Sequence, residues 1–229
     1  MQLHCELNDD LEGNEIDPYH REAYFFKHIL PRLLDAHPQT RFSCEHISSH
    51  EAVSFMRKNG GERLGCSITP HHLLLDRRAM FRGGLHPHLY CLPVIKEQRH
   101  NASLCRFIAE GHPFAYAGTD SAPHDRRAKE SDCCSAGVFT AHAAVELYAE
   151  IFEKAHALDR RFAEFISING PHFYDLPVSE ELIILEQKKW TCSRPLHYSS
   201  DPRDVIRPFG YARHLKDRHE FRWTVSVYR

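Results

Sequence analysis

Short apolar runs alternate with helical patterns along most of the chain. "MQLHCEL" reads as a strand followed by an acidic loop, and a 3.6-residue period then covers about residues 21 to 36. Pro31 lies inside that stretch, and its missing N–H predicts a bend or interruption there. "TRFSCEHIS" is a second strand. Ser48 and Glu51 in "SSHE" have capping-box spacing, so a helix is expected to open there and stop at "NGG", residues 59–61. "LGCSIT" forms a third strand, ending at Pro70, His71 and His72. A long loop through "FRGGLHPHLYCLP" leads to a helix over about residues 101 to 111 and to a fourth strand, "FAYAG". Helices follow around residues 141–157 and 160–166. After Pro177 the pattern weakens to strands in "EELIIL" and "FRWTVSVY", with no internal repeat or low-complexity linker.

Strand–helix alternation of this kind implies an α/β protein with a parallel sheet covered by helices. In a β/α barrel the working residues stand at the C-terminal ends of the strands. Three of the four strands end with a metal-capable group: His4, His46 and Asp120. Each alone has an ordinary reading, a packed histidine or a turn carboxylate. At equivalent positions of successive units they point to ligands converging on one point. Imidazole and carboxylate suit zinc, which keeps a coordination position open for water in catalytic sites.

Composition narrows the class. The 229 residues are 42% hydrophobic and 26% charged, with a net charge of -2, which fits a soluble globular protein and gives no nucleic acid or acidic membrane a basic face to bind. The 19 histidines are the outlier. The eight cysteines are scattered, several inside apolar runs, and read as buried free thiols of a reducing compartment. The N-terminus lacks a basic region followed by an apolar stretch, and no run reaches membrane-spanning length, so a cytoplasmic protein is expected.

"GTDSAPHDRRAKES" followed by "AG", together with "GGLHPHLYCLP", "CEHIS", "SITPHHLL" and "SINGPHFYDLP", resembles dihydroorotase of the single-function, homodimeric type, in the amidohydrolase superfamily. The resemblance runs from His4 to about Pro177 and weakens over the last fifty or so residues. It implies a partial TIM-type (β/α) barrel of the metal-dependent hydrolase type, resembling strands 5–8 with their helices. Residues 1–178 would form that C-terminal half of a (β/α)8 barrel, and residues 179–229 an extension packing on it. The implied activity is reversible, zinc-dependent hydrolysis of the cyclic amide of dihydroorotate to N-carbamoyl-aspartate, in de novo pyrimidine (UMP) biosynthesis. His4 and His46 resemble the histidines of the more exposed zinc of a binuclear pair. Asp120 resembles the ligand of the other zinc and the general acid/base. In the hydrolytic direction a hydroxide bridging the zincs attacks the ring carbonyl, and Asp120 carries its proton to the leaving nitrogen.

Substrate contacts carry over to three further positions. His124 would donate to the substrate carboxylate, assisted by the backbone of Ala136, and the backbone of Leu92 would bond the pyrimidine ring. His86 and His88 have HxH spacing but sit in a loop with a proline between them, which suits a loop better than a ligand pair. His71, His72, Cys133 and Cys134 match no ligand. The family's first-strand HxH pair, its carbamylated bridging lysine and further substrate groups have no counterpart in these 229 residues, and Lys129 is no substitute. At most partial zinc loading is therefore expected of the chain alone. The alternative readings are a catalytically inactive dihydroorotase remnant acting as a binding or assembly module and, more weakly, another amidohydrolase activity.

Overall fold

The protein was analysed as a computed structural model, which describes residues 1–211 and 218–228. Four strands, β1 (Gln2–Leu3), β2 (Phe42–Cys44), β3 (Leu64–Ile68) and β4 (Ala115–Ala117), form one parallel sheet in the order β1-β2-β3-β4. Leu3, Cys44, Cys66 and Ala115 are paired in register across it.

The crossovers are helical. The first runs through α1 (Arg21–Tyr24), a π-helical turn (Phe25–Ile29) and α2 (Leu30–Ala36). Pro31 falls in the first turn of α2, and the π turn just before it absorbs the change in register that its missing N–H imposes. The next elements are α3 (His50–Asn59), α4 (Pro70–Leu74), α5 (Arg78–Phe81) and α6 (Gln98–Glu110), the last closed by Gly111 in the left-handed region. After β4 come α7 (Arg126–Lys129), α8 (Ala144–Lys154), α9 (Arg160–Ala163), a second π turn (Glu164–Ile168) and α10 (Asn169–Phe173).

The helix after β2 starts one residue later than its capping-box spacing predicts. Ser49 is the N-cap, accepting from the Ala52 amide at 3.1 Å. Ser48 is taken by tertiary partners: its N–H and hydroxyl donate to the buried Glu22 carboxylate at 2.8 and 3.1 Å, and its oxygen accepts from the buried Lys96 ammonium at 2.7 Å. A cap contributes about 1 kcal/mol, less than leaving a buried charge unpaired costs, so the ion network decides which serine caps.

The two faces of the sheet differ in chemistry. Phe42, Cys44, Leu64, Cys66, Ile68 and Ala115 pack with the helices in the main core. The alternate positions carry Ser43, Ser67 and Tyr116. Ser43 and Ser67 bond the Glu45 carboxylate, Ser67 at 2.6 Å, and Tyr174 donates to it at 3.1 Å. Phe173 of α10 lies against Gly65 and Tyr116. Leu64, Cys66, Ile68 and Ala115 therefore face the helices, while Tyr116 lies on the other face with Ser43 and Ser67. The β4 edge is also partly covered, because the Asn169 amide donates to the Ala115 carbonyl at 2.9 Å.

From residue 183 the chain forms antiparallel pairs: β5 (Ile183–Glu186) with β10 (Thr224–Val227), β6 (Trp190–Thr191) with β9 (Glu220–Phe221), and β7 (Leu196–His197) with β8 (Val205–Ile206). Phe221 stacks on Trp190 at a 4.2 Å centroid distance and packs on Ala143 and Leu147. The buried Glu150 of α8 accepts from the Arg222 amide at 2.8 Å and bonds His219 at 3.1 Å, tying these strands to the helical layer. Residues 212–217 and 229 of the 179–229 segment lie outside the described residues.

Candidate active site

Three of the four parallel strands leave the sheet through a non-glycine residue with positive φ: Cys5 at 62° after β1, His46 at 43° after β2 and Asp120 at 39° after β4. Such conformations cost roughly 1–2 kcal/mol each for an L-residue and concentrate at functional sites. They turn the chain sharply at the same end of the sheet, where His4, His46 and Asp120 stand. For His46 the turn is held by the end of β3: the His46 amide donates to Ser67 Oγ at 2.8 Å and the Ile47 amide to the Ser67 carbonyl at 3.0 Å.

His4 Nδ1 lies 3.1 Å from His46 Nε2. Zinc–nitrogen bonds of about 2.0–2.1 Å at that separation subtend an angle of about 100°, a normal bite for two imidazoles on one metal. The other His4 nitrogen, Nε2, faces the Glu6 carboxylate at 3.4 Å. A carboxylate behind a histidine fixes its tautomer and ring orientation, as outer partners of metal ligands do. The Glu6 hydrogen bond raises the pKa of His4 against the opposing effect of burial, and Asp120 adds to the rise. His46 is lowered to about 4, by burial first and by His4 second, so it is neutral at ordinary pH. Its Nδ1 is buried without a protein hydrogen-bond partner among the described residues.

Asp120 stands apart from this pair: the three residues do not bring one ligand atom each within 4.8 Å of one another. The expectation that all three converge on one point is met by the two imidazoles alone. Burial raises the Asp120 pKa, with His4 pulling it down, which leaves a carboxylate more basic than usual. The approach to it is tight, since a Cβ on Gly118 would lie 2.5 Å from Ser67 Cβ. Beyond it, Ser121 Oγ accepts from the amides of Thr140 and Ala141 at 3.1 and 3.0 Å, pinning the loop to the segment before α8.

The structure brings His124, Ala136 and Leu92 into one loop cluster. His124 Nε2 donates to the Ala136 carbonyl at 2.9 Å. Gly137 has φ 150°, and a Cβ there would meet Ala122 at 2.6 Å and the His124 ring at 2.9 Å, so only glycine fits. The loop before Leu92 joins through the Gly137 amide, which donates to the Tyr90 carbonyl at 2.9 Å. Lys129 locks the cluster: its buried ammonium donates to the carbonyls of Tyr90, Ser135 and Gly137 at 2.9, 2.6 and 2.9 Å. Glu6 is not among the residues the motifs single out, although the spacing "HCE" after a strand was a signal for it; Lys129, inside "GTDSAPHDRRAKES", was weighed only as a stand-in for the bridging lysine.

The remaining histidines and cysteines have separate roles. His86 bonds the Arg82 carbonyl at 2.8 Å and His88 the Glu130 carboxylate at 3.0 Å, so the HxH spacing does not converge. His71, His72 and Cys91 are buried and bring one ligand atom each within 4.8 Å. His72, however, is held at both nitrogens, by Thr69 Oγ1 at 2.7 Å and the Pro93 carbonyl at 2.8 Å, and Cys91 also points at that carbonyl, at 3.4 Å. These bonds make His72 and Cys91 part of the packing. All eight cysteines are free, and Cys133 and Cys134 form no bond with each other. No helix among the described residues is long and apolar enough to cross a membrane.

A parallel strand–helix sheet with His4, His46 and Asp120 on its C-terminal rim is a partial barrel of the amidohydrolase kind. The fold matches the crystal structure of dihydroorotase from Saccharomyces cerevisiae in complex with 5-fluoroorotic acid with a TM-score of 0.83 and 25% identity, over 99% of this chain and 62% of that one. A D-hydantoinase from Thermus sp. shares the fold alone, with a TM-score of 0.67 and 17% identity over 91% of this chain and 47% of that one. In sequence the chain is similar to dihydroorotase: it is 44% identical to that of Laribacter hongkongensis over 207 residues, 90% of this chain and 58% of the relative. It thus spans a little over half the length of the curated relatives it matches, and corresponds to their C-terminal part. No protein-family model matches it.

Proposed function

We propose that this chain supplies the His4–His46 zinc site, the proton-carrying carboxylate and the substrate loops of a dihydroorotase, acting on dihydroorotate and N-carbamoyl-aspartate once the barrel is complete. The approach of His4 Nδ1 to His46 Nε2 at 3.1 Å, with Glu6 behind His4, carries the reading. A hydrogen bond between two surface histidines would need neither the carboxylate nor the strained turn at His46.

His4 and His46 would hold one zinc, and Asp120 would ligate a second together with groups outside this chain. Zinc, when bound, polarises a carbonyl and makes water nucleophilic near neutral pH. Asp120, made more basic by burial, takes up the proton at its free carboxylate oxygen and returns it to the leaving amide nitrogen. His124, with Nε2 committed to Ala136, meets the substrate carboxylate from Nδ1. Leu92 and Ala136 offer backbone groups from loops that Lys129 holds together. The complete enzyme works as a cytoplasmic homodimer in pyrimidine biosynthesis.

Co-expression with the N-terminal part of a dihydroorotase relative tests the proposal. The complemented barrel should hydrolyse dihydroorotate, and His46→Ala in it should lose both zinc and turnover. A folded, fully zinc-loaded complement without turnover would favour the inactive remnant.

A further inference from the structure

Three imidazole nitrogens in one buried layer lack protein hydrogen-bond partners among the described residues: His46 Nδ1 and both ring nitrogens of His71. His46 is 8% exposed and His71 0%. The two residues follow adjacent strands. His46 sits two residues past β2, held against Ser67 at the end of β3, and His71 lies in the first turn of α4, just after the Thr69 cap. Burial holds His71 neutral, lowered to about 3, and the neighbouring His46 ring adds to that shift.

When His46 presents Nε2 to a metal, its proton must sit on Nδ1. That N–H is buried, and a buried donor needs an acceptor. His72 cannot serve, because Thr69 and Pro93 already hold both its nitrogens. A neutral His71 always has one nitrogen with a free lone pair.

We propose that His71 is a positioning residue for the zinc site, accepting the proton of His46 Nδ1 through one buried water and so locking His46 in the tautomer whose Nε2 faces the metal. The role would parallel that of Glu6, which stands behind His4. The site then has two unlike supports: a carboxylate behind the exposed His4, and a neutral imidazole behind the buried His46, where a second carboxylate would be costly to desolvate.

The inference rests on His46 being a zinc ligand, and the experiment separates the two. The intact 229-residue chain is titrated with zinc against a chromogenic chelator, as wild type and as His46→Ala, His71→Phe and His71→Gln. His46→Ala should abolish the tight site. His71→Phe should weaken it 10- to 100-fold, the usual loss when an outer partner is removed. His71→Gln, which keeps an acceptor, should stay within about threefold of wild type. Imidazole ¹⁵N NMR of the wild-type chain should show His46 protonated at Nδ1 with a slowly exchanging proton, a readout that stands even if His71→Phe fails to fold.

Equal loss in the Phe and Gln variants, or unchanged affinity in folded His71→Phe, would each overturn the role of His71 alone. His46 protonated at Nε2 in the zinc-bound chain would overturn its assignment as an Nε2 ligand as well. Zinc binding that survives His46→Ala but not His71→Phe would place the ion on the His71–His72–Cys91 group, and would overturn the assignment of His46 as well.

Discussion

His124 donates from Nε2 to the carbonyl of Ala136 at 2.9 Å, so the two residues assigned to the substrate carboxylate are already bound to each other. The contact fixes the ring and leaves Nδ1 as its one nitrogen for a substrate. In a complemented barrel, His124→Ala should weaken substrate binding by the value of a charge-assisted hydrogen bond, about 1.5–3 kcal/mol or roughly ten- to a hundredfold. Zinc content should not change. Loss of zinc from that variant would show that the ring serves the metal instead.

Asp120→Asn removes a proton carrier while keeping the shape of the loop. Turnover of dihydroorotate in the completed enzyme should fall about 10²- to 10⁴-fold or more, since the amide is a poor ligand and cannot shuttle the proton. Steady-state hydrolysis is the measurement, and substantial activity would remove Asp120 from the mechanism.

Lys129→Met leaves three carbonyls, those of Tyr90, Ser135 and Gly137, without their buried donor. The expected cost is roughly 2–4 kcal/mol of unfolding free energy. Limited proteolysis should cut faster between residues 130 and 137, and KM should rise in the completed enzyme without loss of zinc. An unchanged cleavage pattern would mean that Lys129 holds no loop in place.

Acid should destabilise the zinc-free chain. Burial lowers His71 to about 3 and His100 to about 4, and also holds His72 well below its ordinary value. In the unfolded chain these residues titrate near 6.5. Between 6.5 and the folded values the unfolded state binds more protons, so stability falls as pH falls, by about 1.4 kcal/mol per pH unit for each group. Urea midpoints measured at pH 7 and pH 5 should differ by at least about 2 kcal/mol in stability. Equal midpoints would show these imidazoles to be solvated.

The 229-residue chain purified alone should self-associate, bind fewer than two zincs and show no measurable hydrolysis of dihydroorotate. Its most exposed apolar ribbon is β5 with β10, where Leu182, Ile183, Ile184, Val227 and Tyr228 are 64%, 43%, 46%, 56% and 62% exposed. Such patches drive association. Leu182→Lys with Ile184→Lys should shift sedimentation toward the monomer; no shift would place the sticky surface elsewhere, such as the unpaired side of β1.

Local physics carried the alternation of elements and the rim positions of His4, His46 and Asp120, because strand period, helix period and turn residues act over a few neighbours. The same local rules led to Ser48 as a cap and to three ligands meeting at one point. Tertiary structure decided each of these. Ser48 was claimed by Glu22 and Lys96, which lie far from it in sequence, and a buried charge outweighs a cap. The inner face proved polar because Glu45 gathers Ser43, Ser67 and Tyr174 from separate strands and a helix. Lys129, Glu6 and His71 gain their roles only from what packs around them, since a donor's partners are set by distance in space and not by spacing along the chain.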